Sequence, residues 1–233
     1  MRLVVLFSGG KDSTYSLWYA LHQGWTIACL LTFIPRSPGS WMFHYPLARW
    51  TRLQAQTLGL TQVTVETRGL GEEEELRDLS FSLEKLRETC LVDGVVSGVV
   101  ESAYQKRKVD RVCQELGLKS LTPLWYKDPW KLLETILEAG FHMVFAGVAA
   151  QGFDAGWLGR SFDFNCFKDL KNLNKRYGVH PSGEGGEFET FVTDAPIFRE
   201  RVEFTDVEKI WLRDGGYIDV RDARLKPKAG DLR

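Results

Sequence analysis

Leu3-Val-Val-Leu-Phe-Ser-Gly-Gly-Lys-Asp-Ser13 passes from an apolar block, through a glycine pair, into polar residues. Five apolar residues with two adjacent valines predict a buried strand, and the residues after Gly10 take helical periodicity. Leu17, Ala20 and Leu21 share one face, and Gly24 supplies a C-terminal stop. A glycine pair between strand and helix lets the backbone approach a ligand closely, because neither residue carries a Cβ. The helix start then aims unpaired N–H groups and the positive end of its dipole at the same point. Such a turn selects an anion, most often phosphate. Ser8 and Ser13 add hydroxyl donors, Gly9 and Gly10 add backbone donors, Lys11 adds a point charge, and Asp12 is a carboxylate suited to Mg²⁺.

The loop is not a Walker A motif, which needs four residues between its glycines and Ser or Thr directly after Lys. Here Asp12 follows Lys11, and Val5 stands in the place of the first glycine. Outward from the loop, strand-like blocks at 2–7, 26–33, 62–66, 93–97 and 119–122 alternate with helical patterns near 12–23, 46–58, 72–89 and 103–117. This rhythm predicts an α/β unit with a parallel sheet covered on both faces, and ligands of such sheets bind at the carboxyl ends of the strands. The acidic run Glu72 to Glu75 reads as a solvated helix start that complements the dipole.

After Trp125 the pattern changes. A helix near 130–139, a buried strand at 142–148, a glycine-rich stretch from Gly152 to Gly159 and a polar helix near 163–177 lead to a tail, 188–223, with β-type alternation. Gly215-Gly216 reads as the turn between two antiparallel strands. These features predict two domains, 1–125 and a smaller α+β domain at 126–233.

The net charge of −1 gives no general pull toward nucleic acid or an anionic membrane. No apolar run approaches the roughly 18 residues that span a bilayer, so a cytoplasmic protein without a membrane partner is expected. Cys29, Cys90, Cys113 and Cys166 form no Cys-x-x-Cys pair, which argues against a zinc or iron–sulfur site, and Cys29 and Cys113 read as core residues.

His180-Pro-Ser-Gly-Glu-Gly-Gly-Glu-Phe-Glu-Thr190 is the second informative stretch. Glu187 and Glu189 share a face if a strand begins there, and the glycines allow Glu184 to fold back toward them. Three such carboxylates suit Mg²⁺, an ammonium ion or a general base; a solvated acidic hairpin fits the same residues.

Together, SGGKDS, GEGGEFET, the segment from Val95 to Gln105, Pro123-Leu-Trp125, Trp41-Met-Phe-His44 and Thr193-Asp-Ala-Pro196 resemble the diphthine–ammonia ligases. These belong to the N-type ATP pyrophosphatases, whose fold is a Rossmann-like, adenine nucleotide α-hydrolase-like sheet. The phosphate loop marks the superfamily, and GEGGEFET marks the family. The resemblance implies that the carboxylate of diphthine, a modified histidine on translation elongation factor 2, attacks ATP at its α-phosphorus. Ammonia then displaces AMP to give the amide. It implies ATP and Mg²⁺ as ligands along Ser8–Ser13, with room for the nucleotide left by Gly98. It also implies catalytic roles for Lys11, Glu184, Glu187 and Glu189, with His44, Tyr104, Gln105, Gly185, Gly186 and Thr190 on the substrate side. Lys108 stands where the family pattern has Arg, beside Arg107, and the role of that pair is open. A rival reading is adenylation of a tRNA base, which would favour a basic surface and a reactive cysteine pair; another is a non-catalytic nucleotide-binding module. No glutaminase segment is apparent, so free ammonia is the expected donor. Neither a monomer nor a homo-oligomer is excluded.

Overall fold

A computed structural model describes residues 1–35, 47–67 and 71–228. The chain divides into two compact units. One comprises 1–8 with 12–126, the other 9–11 with 127–233.

In the first unit, β1 (Arg2–Leu6), β2 (Thr26–Pro35), β3 (Gln62–Thr67), β4 (Gly94–Val96) and β5 (Lys119–Leu121) form one parallel sheet in the order β3-β2-β1-β4-β5. Between them run α1 (Lys11–His22), α2 (Thr51–Leu58), α3 (Glu72–Cys90) and α4 (Ala103–Glu115). The leucines of α3 (Leu79, Leu83, Leu86) and the apolar stripe of α4 (Val109, Val112, Cys113) pack on Val4, Cys29, Leu31, Phe33 and Val95. The alternate strand residues Leu3, Val5, Leu30 and Val96 are equally buried, so the other face of the sheet is covered too. This is the Rossmann-like α/β fold that the alternation implies. The acidic start of α3 is not simply solvated: Glu75 is buried, and Glu72 lies 2.6 Å from the ammonium of buried Lys108.

The second unit holds α5 (Pro129–Glu138), β6 (His142–Val148), α6 (Phe164–Tyr177), β7 (Phe188–Asp194), β8 (Glu200–Leu212) and β9 (Gly215–Pro227). Asp128 and Asp163 cap the two helices, each carboxylate accepting a first-turn N–H. The strands form an antiparallel sheet, β7-β6-β9-β8. Phe145 of β6 is its packing hub, in ring contact with Phe153, Trp157, Phe162 and Phe188.

The β8–β9 turn is made by Arg213 and Asp214, not by the glycine pair. Gly215 and Gly216 belong to β9, where backbone comes too close for a side chain. A Cβ on Gly215 would lie 2.4 Å from the Val148 carbonyl, and one on Gly216 would lie 2.4 Å from the Ile210 carbonyl.

Candidate active site

The loop after β1 leaves the sheet where strand order reverses, with β2 on one side and β4 on the other. Open α/β sheets take their ligands at such a point. Polar contacts that sequence reasoning missed hold the loop's entry. Thr32 donates its hydroxyl to the Phe7 carbonyl at 2.8 Å, and Gln62 donates to the hydroxyls of Thr32 and Thr51 at 2.8 and 2.7 Å. Only the burial of these polar residues beside β1 reveals them, and single-sequence patterns do not carry burial of that kind.

Within the loop, Ser8 N–H donates to Ser13 Oγ at 3.3 Å, and the two hydroxyls lie 3.1 Å apart. Gly9 takes φ 79°, a conformation that favours glycine. At Gly98 the structure adds a packing reason for glycine. A Cβ there would stand 2.7 Å from Ser13 N and 3.0 Å from the Asp12 carbonyl oxygen, so the space belongs to the first turn of α1. Glycine at 98 lets the loop after β4 press against that turn. Beside it, the hydroxyl of Ser97 is buried without a hydrogen-bond partner among the described residues.

Gly9, Gly10 and Lys11 group with the second unit, and hydrogen bonds explain why. Val192 N–H donates to the Gly9 carbonyl at 2.9 Å, and Lys11 N–H donates to Thr190 Oγ1 at 3.1 Å. The Lys11 ammonium donates to the Ser182 carbonyl at 2.6 Å and lies 5.2 Å from the centre of the Phe188 ring. Lys11 is 3% exposed. The lysine of the first motif is thus fixed by the second motif, 171 residues further along the chain.

Residues 180–187 form a tight loop in which Gly183 and Gly186 take positive φ. A Cβ on Gly183 would lie 2.6 Å from the Phe188 carbonyl. This tightness turns backbone N–H groups inward, and Glu187 satisfies two of them. Its carboxylate accepts from His180 N at 3.0 Å and from Gly185 N at 2.8 Å. His180 Nδ1 accepts from Ser182 N at 3.2 Å, which leaves the proton of a neutral imidazole on Nε2. The Ser182 hydroxyl is buried and has no hydrogen-bond partner among the described residues.

The three glutamates therefore do not make one metal-holding group. Among the described residues there is no group of three or more His, Cys, Asp or Glu side chains placed to hold a metal ion. Glu187 builds the loop, Glu189 lies on β7 opposite Gly147, and Glu184 is half-exposed on the loop between Gly183 and the exposed Gly185 and Gly186. Thr190 is buried on β7.

On the first unit, Tyr104 lies at the start of α4 with the Lys108 ammonium 3.3 Å from its ring centre, which gives Lys108 a packed position. Gln105 N–H bonds to the capping hydroxyl of Ser102. His44, with Trp41-Met-Phe, lies outside the described residues.

Three thiols are far from reactive. Burial pushes Cys29 and Cys113 up to about 11 and Cys166 up to about 12.

Comparison with known proteins follows the same two parts of the chain. Residues 1–120 match the diphthamide synthase N-terminal domain, and residues 128–225 match the diphthamide synthase C-terminal domain. The chain is 32% identical to the diphthine–ammonia ligase of Danio rerio, over 94% of this chain and 92% of that one. It is 32% identical to the Homo sapiens enzyme, covering 87% of this chain and 82% of that one. The diphthine–ammonia ligase of Schizosaccharomyces pombe is 33% identical over 90% of this chain, which spans only 37% of the yeast protein. Among solved structures, a predicted subunit of tRNA methyltransferase from Methanocaldococcus jannaschii gives a loose likeness. It has a TM-score of 0.46 at 18% identity, covering 84% of this chain and 97% of that one.

Proposed function

The chain belongs to the diphthamide synthase family, and on that premise we propose that it is an ATP-dependent diphthine–ammonia ligase. The observation that carries the reading is the grip of Ser182, in the glutamate-rich loop, on the ammonium of Lys11 in the phosphate loop.

Diphthine is a histidine whose side chain is extended by a chain bearing a carboxylate and a trimethylammonium group. Its carboxylate oxygen bonds to the α-phosphorus of ATP as the bond from that phosphorus to the bridging oxygen breaks, and pyrophosphate leaves. Ammonia then bonds to the acyl carbon, the carbon–oxygen bond to AMP breaks, and the amide remains. Lys11 supplies positive charge to the departing pyrophosphate at a fixed position, where it needs no reorganisation as the reaction proceeds. The Ser182 hydroxyl, buried beside the carbonyl that holds Lys11, is a donor with capacity to spare.

Ammonium must lose a proton before its nitrogen can attack. Glu184 and Glu189, the carboxylates of the motif other than Glu187, take that proton in this reading. Mg²⁺ would be held by Asp12 together with phosphate oxygens and water, since it characteristically takes one or two protein carboxylates, and it would offset phosphate charge. Elongation factor 2 is the acceptor in this reading, and the cytoplasm is its place. Among the described residues no helix is long and apolar enough to cross a membrane. The unreactive thiols and the lack of a Cys-x-x-Cys pair give sulfur transfer to a tRNA base no support.

The test is product analysis with ATP, ammonium and diphthine-bearing elongation factor 2. Chromatography is expected to show AMP and pyrophosphate, and mass spectrometry the conversion of carboxylate to amide. ADP and phosphate as the main products would overturn the reading.

A further inference from the structure

Tyr126 holds φ 58°, in a region that bulky residues avoid, and its side chain is 77% exposed. Backbone strain of this kind persists only where surrounding contacts impose it, and it concentrates at binding sites. One such contact is the bond from Tyr126 N–H to the Val100 carbonyl, at 2.9 Å. The strained turn presents the Tyr126 ring at 79° to the ring of Trp125, with centres 5.1 Å apart. Two rings near a right angle form a corner with an electron-rich wall on each side. A cation already lies near the Trp125 ring: the ammonium of Lys106, paired with Asp110 at 2.5 Å, is 5.5 Å from its centre.

The corner belongs to the ligand-binding edge of the parallel sheet. It follows β5 at its carboxyl end, and Val100 follows Gly98, which abuts Asp12 and Ser13, by two residues. Two residues span at most about 7 Å of extended chain.

We propose that Trp125 and Tyr126 form an aromatic corner that binds the quaternary trimethylammonium group of the acceptor and so selects the methylated side chain; this rests on the ligase reading above. A quaternary ammonium cannot donate hydrogen bonds, so ring faces are its natural partners. A primary amine keeps its water instead and gains little from the corner. The corner therefore discriminates by methylation, while the carboxylate that reacts is the same in both acceptors.

Two measurements on the full chain decide it. In the first, amidation is followed with trimethylated and unmethylated acceptors that carry the same carboxylate. Tyr126→Gly removes the ring and the strain together, so unfolding temperature should hold or rise. KM for the trimethylated acceptor should rise about 5- to 30-fold, with KM for ATP and for the unmethylated acceptor unchanged and with Tyr126→Phe close to the parent. In the second, choline and its neutral carbon isostere, 3,3-dimethylbutan-1-ol, are titrated against the Trp125 indole resonance. Choline should bind several-fold more tightly, and Trp125→Leu should abolish that preference. Equal binding of the two probes, or a KM shift common to both acceptors, overturns the corner. Failure of the parent protein to form amide with either acceptor would overturn the ligase reading instead, and the choline titration would then decide the corner alone.

Discussion

Glu187 shows what one carboxylate can be asked to do. Residue type and spacing marked it as a catalytic or metal-binding group, yet both of its oxygens accept backbone N–H groups of its own loop. The sequence could not reveal this, because a glutamate beside glycines reads alike whether it faces a ligand or caps a turn. Glu187→Gln keeps one acceptor oxygen and sets an NH₂ against a backbone donor. Leaving such a group unsatisfied costs about 1–3 kcal/mol, so this variant should lower the unfolding temperature and slow amidation together. Glu184→Gln should slow amidation with the unfolding temperature unchanged, and a loss of stability equal to that of Glu187→Gln would contradict the division of labour. Lys11 was singled out from the loop alone, but its contacts with Ser182 and Phe188 were not legible there. Lys11→Ala is expected to cut turnover by about 10²–10³ with a smaller change in ATP affinity, as steady-state kinetics beside calorimetry would show. Gly98 was legible as a constrained position, but its packing against Asp12 and Ser13 was not. Gly98→Ala forces a methyl into the backbone of Asp12 and Ser13. Overpacking costs about 1–3 kcal/mol, and here it falls on the turn proposed to meet the nucleotide, so thermal unfolding and ATP affinity should both suffer.

Among the elements, legibility followed periodicity. The blocks at 2–7 and 26–33 became β1 and β2 because buried parallel strands are continuously apolar, and the stripes of α3 and α4 stand against Val4, Leu31 and Val95 as their spacing required. The glycine pair at 215–216 was misread as a turn because two glycines signal both freedom and closeness. In β9 it is closeness that is used, at Gly216 against Ile210 of the hairpin partner and at Gly215 against Val148 of β6, a strand distant in sequence. The β8–β9 hairpin also makes a pH prediction. Lys226, and then Arg224 opposite it in register, hold the Glu203 carboxyl down at about 2. A depressed carboxylate contributes stability that is complete above the ordinary value of 4.5 and is lost as pH falls toward 2. NMR titration of Glu203 should therefore place its midpoint near 2, and Lys226→Gln should raise it. The pairs are solvent-exposed, so salt should raise it as well. A midpoint near 4.5 at low salt would show that the pairs do not hold in solution.

At the scale of the whole chain, the two motifs were readable and their meeting was not. Nothing local in Ser-Gly-Gly-Lys indicates that Gly9 to Lys11 group with residues 127–233, since the partners Thr190 and Val192 are some 180 positions away. The cysteines offer a readout of each unit separately. Cys29 and Cys113 lie in the core of the first unit and Cys166 in the core of the second, all at most 1% exposed, whereas Cys90 is half-buried at the end of α3. A native thiol pushed up to about 11 or 12 is almost wholly protonated at pH 8, and the thiolate is the reacting form. Alkylation of the three buried thiols must therefore wait for a unit to open, and its rate then reports the opening equilibrium multiplied by the rate for an exposed thiol. With iodoacetamide at pH 8 and peptide mass spectrometry, Cys90 should be modified first. Cys29 and Cys113 should follow at one shared rate, because they belong to one core, and Cys166 at a rate of its own. In denaturant all four should react alike. Cys29 reacting as fast as Cys90 in the native protein, or Cys29 and Cys113 reacting at clearly different rates, would show that the first unit does not open as a single cooperative body.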